Sequence, residues 1–492
     1  MRRSLYIPLL AGLFAACQPE FNDPVNEEGF YSSGEADLTT YVALGNSLTA
    51  GFADGALYRD AQINSYPNII AQQFSLAGGG AFTQPLVNDN TGGLLANGQT
   101  ISSPRLVLNF NENGSPVPVT LDAEPTTDIT NVLEGPFNNM GVPGAKSYHL
   151  LANGYGNLGN FPTAANPYFI RMASSPDASI LEDAVAQDPS FFSLWIGAND
   201  ILGYATSGGT GVNQTGNLNP QTYGSNDITD PTLFGGVYQQ ILQGLTSNGA
   251  QGIVLNLPAV SGIPFFTTVP YNAIPLDAGT AALLNENYAA YNGGIRQLQA
   301  GGVISAEEAD SRIISFQAGQ NPVVILDESL TDLTGFNPAL VNLRQATAED
   351  LLPLPVSRVL GTLADPSNPL SVIGVAVPLN DAQVLTMTEV AEIEAVRAAY
   401  NNTIAALAQQ FDLPLVDVDS LFDQLISQGI PYDGGTITAT FGTGGAFSLD
   451  GVHLTQRGYA VIANEIIDQI NLRYNASIPE VNAGYYPAVF VE

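Results

Sequence analysis

Tyr41-Val42-Ala43-Leu44-Gly45-Asn46-Ser47-Leu48-Thr49-Ala50-Gly51 decides how the rest of the chain is read. An apolar run stops abruptly at a glycine, and a serine follows two positions later. This pattern predicts a buried parallel strand ending in a tight turn, with a helix or loop beginning beyond Ser47. In open α/β sheets ligands sit outside the carboxyl ends of the strands, so such a turn presents Ser47 where chemistry can occur. Gly, Asn and Ser also dominate ordinary turns, so Ser47 counts as a nucleophile only if the chain supplies partners for it.

Further strand-turn units follow. Ser190 to Ile196 is a second apolar run, broken by Gly197-Ala198-Asn199-Asp200, and Gly252 to Pro258 is a third. Tyr66 to Leu76, with Pro67 in its first turn, reads as a short helix. Leu233 to Leu245, Ala278 to Gln299, Glu389 to Phe411 and Leu454 to Leu472 also read as helices, and Leu413 to Val418 as a further strand. Strands alternating with helices predict parallel βαβ units in a single α/β core. Leu106 to Phe110 and Val117 to Leu121 form a candidate hairpin within a Gly/Asn/Thr/Pro-rich insertion at about 78–130. Ile313 to Phe316 and Val323 to Leu326 read as strands in a second insertion at about 300–379, whose span 331–379 has no clear pattern.

With 492 residues and 45% hydrophobic content, the chain can bury a large core and is not disordered. Its formal charge of -33, from 13 basic against 46 acidic residues, argues against nucleic acid as a partner, because phosphate binding needs clustered Lys and Arg. An acidic surface of this kind keeps a protein dispersed at high salt, where self-repulsion is screened. Cys17 is the only cysteine and His149 and His453 the only histidines, so no intrachain disulfide and no His/Cys zinc site is expected. No cofactor and no metal are expected, although the composition leaves carboxylate-bound calcium open.

Met1-Arg2-Arg3 is a basic start, and Leu5 to Ala16 is apolar but shorter than the ~20 residues a membrane-spanning helix needs. Residues 1–16 therefore read as a secretory signal. Leu13-Phe14-Ala15-Ala16-Cys17 resembles the lipobox of bacterial lipoproteins, with Phe14 an uncommon residue at its position. The resemblance implies cleavage before Cys17, lipidation of that residue and membrane anchoring, and Gln18 after it points to the outer membrane. Residues 17–37 read as a flexible acidic tether, 38–475 as the globular domain and 476–492 as a C-terminal tail.

Asp450-Gly451-Val452-His453 precedes the last helix. Asp and His three residues apart in one turn allow the carboxylate to hold Nδ1–H while Nε2 faces outward. A serine hydroxyl needs such a base, and the carboxylate stabilises the imidazolium that forms. His149 has no nearby carboxylate in the sequence, so His453 is the favoured base.

Four blocks in order then carry a resemblance. Gly45-Asn46-Ser47-Leu48-Thr49-Ala50-Gly51 resembles the first block of the SGNH (GDSL) hydrolase superfamily. Asn139-Met140-Gly141-Val142-Pro143-Gly144 resembles the second, Gly197-Ala198-Asn199-Asp200 the third and Asp450-Gly451-Val452-His453 the last. The resemblance implies a flavodoxin-like three-layer α/β/α sandwich with a parallel central sheet. It makes Ser47 the nucleophile, His453 the base and Asp450 its partner. The backbone N–H groups of Ser47 and Gly144 and the side-chain amide of Asn199 would form the oxyanion hole. Asn46 stands where the motif name has aspartate, which bears on the turn rather than on the nucleophile. No Gly-x-Ser-x-Gly elbow is present.

The implied function is a monomeric serine esterase or acylhydrolase acting on lipid or short-chain acyl esters through an acyl-enzyme. The alternatives are a carbohydrate O-deacetylase of the same fold, acyl transfer to an alcohol by the same residues, and a non-catalytic binding lipoprotein of the outer membrane.

Overall fold

The computed structural model describes residues 30–110 and 116–489. The signal segment, Cys17 and the stretch as far as residue 29 lie outside the described residues. The four apolar runs become parallel strands β1 (Tyr41–Gly45), β3 (Phe191–Trp195), β4 (Gln251–Leu255) and β5 (Leu415–Val416), and Asn139–Gly141, not expected as a strand, adds β2. They hydrogen-bond in the order β5-β4-β3-β1-β2, and every pairing is parallel. The chain leaves β1 toward one edge and returns to β3 on the other side. Strand order therefore reverses at β1, which opens a crevice at the carboxyl ends of β1 and β3.

The helices that position the site are α1 (Ser47–Ala50), α2 (Tyr66–Leu76), α3 (Asn199–Thr206), α4 (Pro231–Leu245), α5 (Ala278–Ala300), α6 (Met387–Gln410) and α7 (Gln456–Tyr474). Successive strand side chains point to opposite faces, so a sheet covered on both sides needs apolar residues at nearly every position. β3 has them. On one face Phe191 meets Phe74 of α2 and Tyr474 of α7, with ring centroids 5.7 and 5.6 Å apart, and Trp195 meets Tyr66 at 5.7 Å. Phe192, which points to the opposite face, finds room beside Gly252 on β4, where a Cβ would come within 2.6 Å of its ring. α4 and α6 pack together there through Phe234 stacked on Tyr400 at 4.1 Å. The fold is thus α/β, a parallel sheet flanked by helices.

A second apolar core is separate from the first. It is drawn from Val269 to Val384 and includes Leu284, Tyr291 and Ile295 of α5 packed with Ile314, Phe316, Val324 and Leu379. The inserted unit is therefore wider than 300–379 and takes in α5. Val324–Leu326 pairs antiparallel with Leu343–Gln345, and Ile274–Leu276 with Gly319–Asn321. Ile313 to Phe316, expected as a strand, is not one. Its backbone is held by side chains instead. Asn285 donates to the Phe316 carbonyl and accepts from its N–H, at 2.9 and 2.8 Å, and Asn292 does the same for Ile314, at 2.8 and 3.0 Å.

In the first insertion Leu106–Phe110 pairs with Pro116–Thr120 as expected, and Leu94–Ala96 adds a second hairpin with Gln99–Ser102. The described end of the expected tether is docked from Ser32 onward: Glu35 N–H donates to the Tyr474 carbonyl at 2.7 Å, and Asp37 N–H to Gln251 Oε1 at 2.8 Å. Residues after 475 also fold back, with Asn471 of α7 bonded to both backbone groups of a buried Ile478. Among the described residues no helix is long and apolar enough to cross a membrane.

Candidate active site

β1 delivers the chain to the crevice, and Gly45 allows the turn. A Cβ there would lie 2.1 Å from Thr49 Oγ1 and 2.4 Å from the Trp195 carbonyl. Asn46 then caps α1, its side-chain oxygen accepting from Leu48 N–H at 3.1 Å. An asparagine does this as well as an aspartate, so the substitution at 46 leaves the turn intact. The result sets Ser47 at the start of α1 with its side chain largely buried.

Ser47 Oγ lies 2.9 Å from His453 Nε2, and His453 Nδ1 lies 2.8 Å from Asp450 Oδ2. Phe52 packs its ring 4.7 Å from the imidazole. The carboxylate is heavily bonded. Asp450 Oδ1 accepts from Val452 N–H, His453 N–H and Ser448 Oγ at 2.9, 2.8 and 3.0 Å, and Oδ2 also accepts from Gly55 N–H at 2.9 Å. Burial alone would raise this carboxyl. The imidazole beside it and the N–H donors outweigh that and hold it well below the usual carboxylate range. Asp450 is thus an ionised acceptor that orients the ring, with Nε2 left to face the serine.

Asn199 opens α3 at the end of β3, and its Nδ2 donates to the Ala145 carbonyl at 2.9 Å. One amide N–H is anchored and the second is left for another acceptor. Asn199, Ser47 and His453 line one apolar cavity of about 50 Å³ together with Leu202, Leu257, Ile263 and Phe422. Gly144 is not part of that lining. It lies in the loop after β2, which is tied to the nucleophile turn by Val142 N–H donating to the Gly45 carbonyl at 3.0 Å, and its φ of +80° suits glycine. A far larger cavity of about 960 Å³ is lined by the inserted unit and the 106–118 hairpin, and it reaches the triad at Asp450 rather than at Ser47.

His149 is built differently. It stacks on Tyr155 at 4.4 Å, its Nδ1 accepts from Lys146 N–H at 3.0 Å, and burial with the nearby Lys146 charge pushes its pKa down to about 4. It is a half-buried ring held by stacking and by the backbone, with no carboxylate partner among the described residues.

Asp54 is the site residue that the sequence reading passed over. It is buried and joins the nucleophile loop to the Asp-His turn. Its Oδ1 accepts from Leu449 N–H at 2.9 Å, its own N–H donates to Ser448 Oγ at 2.9 Å, and Oδ2 accepts from Tyr58 Oη at 2.8 Å. Burial and then the nearby Asp450 charge, against the bonds from Leu449 and Tyr58 and the charge of Arg105, push its pKa up to about 6. The only signal in the sequence is Asp54-Gly55, ordinary turn chemistry.

No family model, curated protein or solved structure matches the chain.

Proposed function

We propose that the protein is a serine esterase of the SGNH hydrolase type, acting on carboxylic esters through an acyl-enzyme. The observation that carries this reading is the unbroken hydrogen-bonded row Ser47 Oγ, His453 Nε2, His453 Nδ1, Asp450 Oδ2, set at the carboxyl end of β1. Ser47 Oγ attacks the ester carbonyl carbon while His453 Nε2 takes its proton. Asp450 stays ionised and stabilises the imidazolium. The oxygen of the tetrahedral intermediate takes its charge beside the N–H groups assigned by the resemblance, those of Ser47 and Gly144 and the free amide N–H of Asn199. His453 then protonates the leaving alkoxide, and in a second half-reaction activates the water that releases the acid.

The cavity at Ser47, about 50 Å³, favours a short acyl group, since a water needs at least ~10–15 Å³ of such space. Short-chain esters are therefore the preferred substrates, and O-acetyl groups on a larger alcohol fit the same slot. Hydrolysis of nitrophenyl esters of graded acyl length tests this. Acetate and butyrate esters are expected to be cleaved fastest, and Ser47→Ala or His453→Ala to lose activity by roughly 10⁴–10⁶-fold. Activity that survives either change undiminished overturns the mechanism. A preference for long chains would move the acyl group to the larger cavity.

A further inference from the structure

Away from the triad, three carboxylates meet where the inserted unit rejoins the sheet's helices. Glu328 follows the strand Val324–Leu326, Asp381 opens the short turn Asp381–Gln383, and Glu389 stands in the first turn of α6. One carboxylate oxygen of each lies within 4.8 Å of the others. Among the described residues none of the three is ion-paired to Arg, Lys or His. On so acidic a chain, proximity of this kind would mean little by itself.

Glu389 changes that. It is only 4% exposed. Its Oε2 accepts from Thr386 N–H at 2.7 Å and Oγ1 at 2.8 Å, which caps α6, whereas Oε1 is buried with no hydrogen-bond partner among the described residues. Donors do reach this helix. One turn on, Glu392 has both oxygens satisfied, by Tyr204 Oη at 2.9 Å and Asn213 Nδ2 at 2.8 Å. A buried carboxylate oxygen left without a donor is strongly unfavourable, and either a proton or a cation offsets it; with two further carboxylates beside it, one cation neutralises the group where a single proton does not. The loop after α3 closes over the same point. A Cβ at Gly209, whose φ is +79°, would lie 1.6 Å from Glu389 Oε1, and one at Gly208 would lie 2.1 Å from the Asp381 carbonyl.

We propose that Glu328, Asp381 and Glu389 Oε1 bind a divalent cation of the calcium class. All three donors are hard oxygens, which suit calcium, magnesium or manganese rather than zinc or copper. Calcium takes six to eight oxygens at about 2.3–2.6 Å, so ligand oxygens up to about 5 Å apart sit on one shell, with waters completing it. Magnesium, at about 2.0–2.1 Å and strictly octahedral, tolerates this spread less well. The bound ion ties Glu328 and Asp381 of the inserted unit to α6, beside the end of the helix that begins with Asn199. This site goes beyond the esterase reading and does not depend on it.

The test is calcium titration calorimetry on the chelator-treated protein, with thermal melting in chelator, in millimolar CaCl₂ or MgCl₂, and in NaCl of matched ionic strength. One calcium per chain is expected, with a melting midpoint several degrees higher in CaCl₂ than in MgCl₂ or NaCl. Glu389→Gln keeps a cap acceptor for Thr386, and Asp381→Asn changes a partly exposed carboxylate. Both are expected to melt at or above the wild-type midpoint in chelator, because each removes one repelling charge, and to lose the calcium response. The absence of calcium heat from the wild type overturns the proposal. So does a calcium shift no larger than that in matched NaCl, or one retained in full by both variants.

Discussion

Asp54 and Leu449, 395 positions apart in the chain, are bonded side chain to backbone, and that bond joins those from Asp54 N–H to Ser448 and Gly55 N–H to Asp450 in holding the serine and histidine loops together. The Asp54 carboxyl is pushed up from 3.8 to about 6. The folded chain therefore binds more protons at Asp54 than the unfolded chain between these values, and its ionisation works against folding as pH rises through that window. Asp54→Asn keeps an acceptor for Leu449 N–H and offers an N–H₂ to Tyr58 Oη, without the charge beside Asp450. The variant is expected to equal the wild type near pH 4 and to exceed it above pH 6, by on the order of 1–3 kcal/mol. Urea denaturation at several pH values checks this, and a difference that does not grow from pH 4 to pH 7 refutes it. At this scale the reading of Ser47, Asp450 and His453 was open to sequence because their chemistry demands particular residue types. Asp54 was hidden because an Asp-Gly pair looks the same whether its carboxylate faces water or a second loop.

Elements show a similar division. Tyr66 to Leu76 and Leu106 to Phe110 are visible as a helix and a strand in the sequence, since capping and periodicity are local properties. Asn97-Gly98, though missed, was a legible hairpin turn as well, with both residues at positive φ (51° and 74°) between Leu94–Ala96 and Gln99–Ser102. Ile313 to Phe316 was not, because its apolar alternation is that of a strand while its hydrogen bonds go to Asn285 and Asn292 on α5. Within the inserted unit Arg344 sits buried between Asp327 and Asp350, with Nε 2.5 Å from the first and Nη2 2.7 Å from the second. Asp350 in turn accepts from Met387 N–H at 2.9 Å, which links this ion group to the start of α6. Arg344→Met would strand two buried carboxylates. It is expected to cost about 3–5 kcal/mol, read as an earlier denaturation midpoint. A loss below about 1 kcal/mol would mean that water already reaches the pair.

Across the whole molecule the excess of negative charge is the dominant long-range force. With a formal charge of -33, repulsion among surface carboxylates opposes the compact state unless it is screened. Raising NaCl from ~0.1 M to ~1 M shortens the Debye length from about 10 Å to about 3 Å. The thermal midpoint is expected to climb by several degrees over that range. A flat or falling midpoint would show that surface repulsion contributes little, and would count against a saline setting for the protein.

By itself the sequence determined the parallel strand runs, the order of the four blocks, and the residue types able to act as nucleophile, base and carboxylate. These follow from local periodicity, turn chemistry and the scarcity of histidine. Tertiary structure alone decided the rest. The sheet order brings the end of β1 beside the end of β3 and lets His453 reach Ser47 from 406 positions away. Packing draws α5 into a second core, and burial separates Glu389, with an unsatisfied oxygen, from Glu392 on the same helix. Such features depend on which distant groups share a low-dielectric space, and no local pattern encodes that.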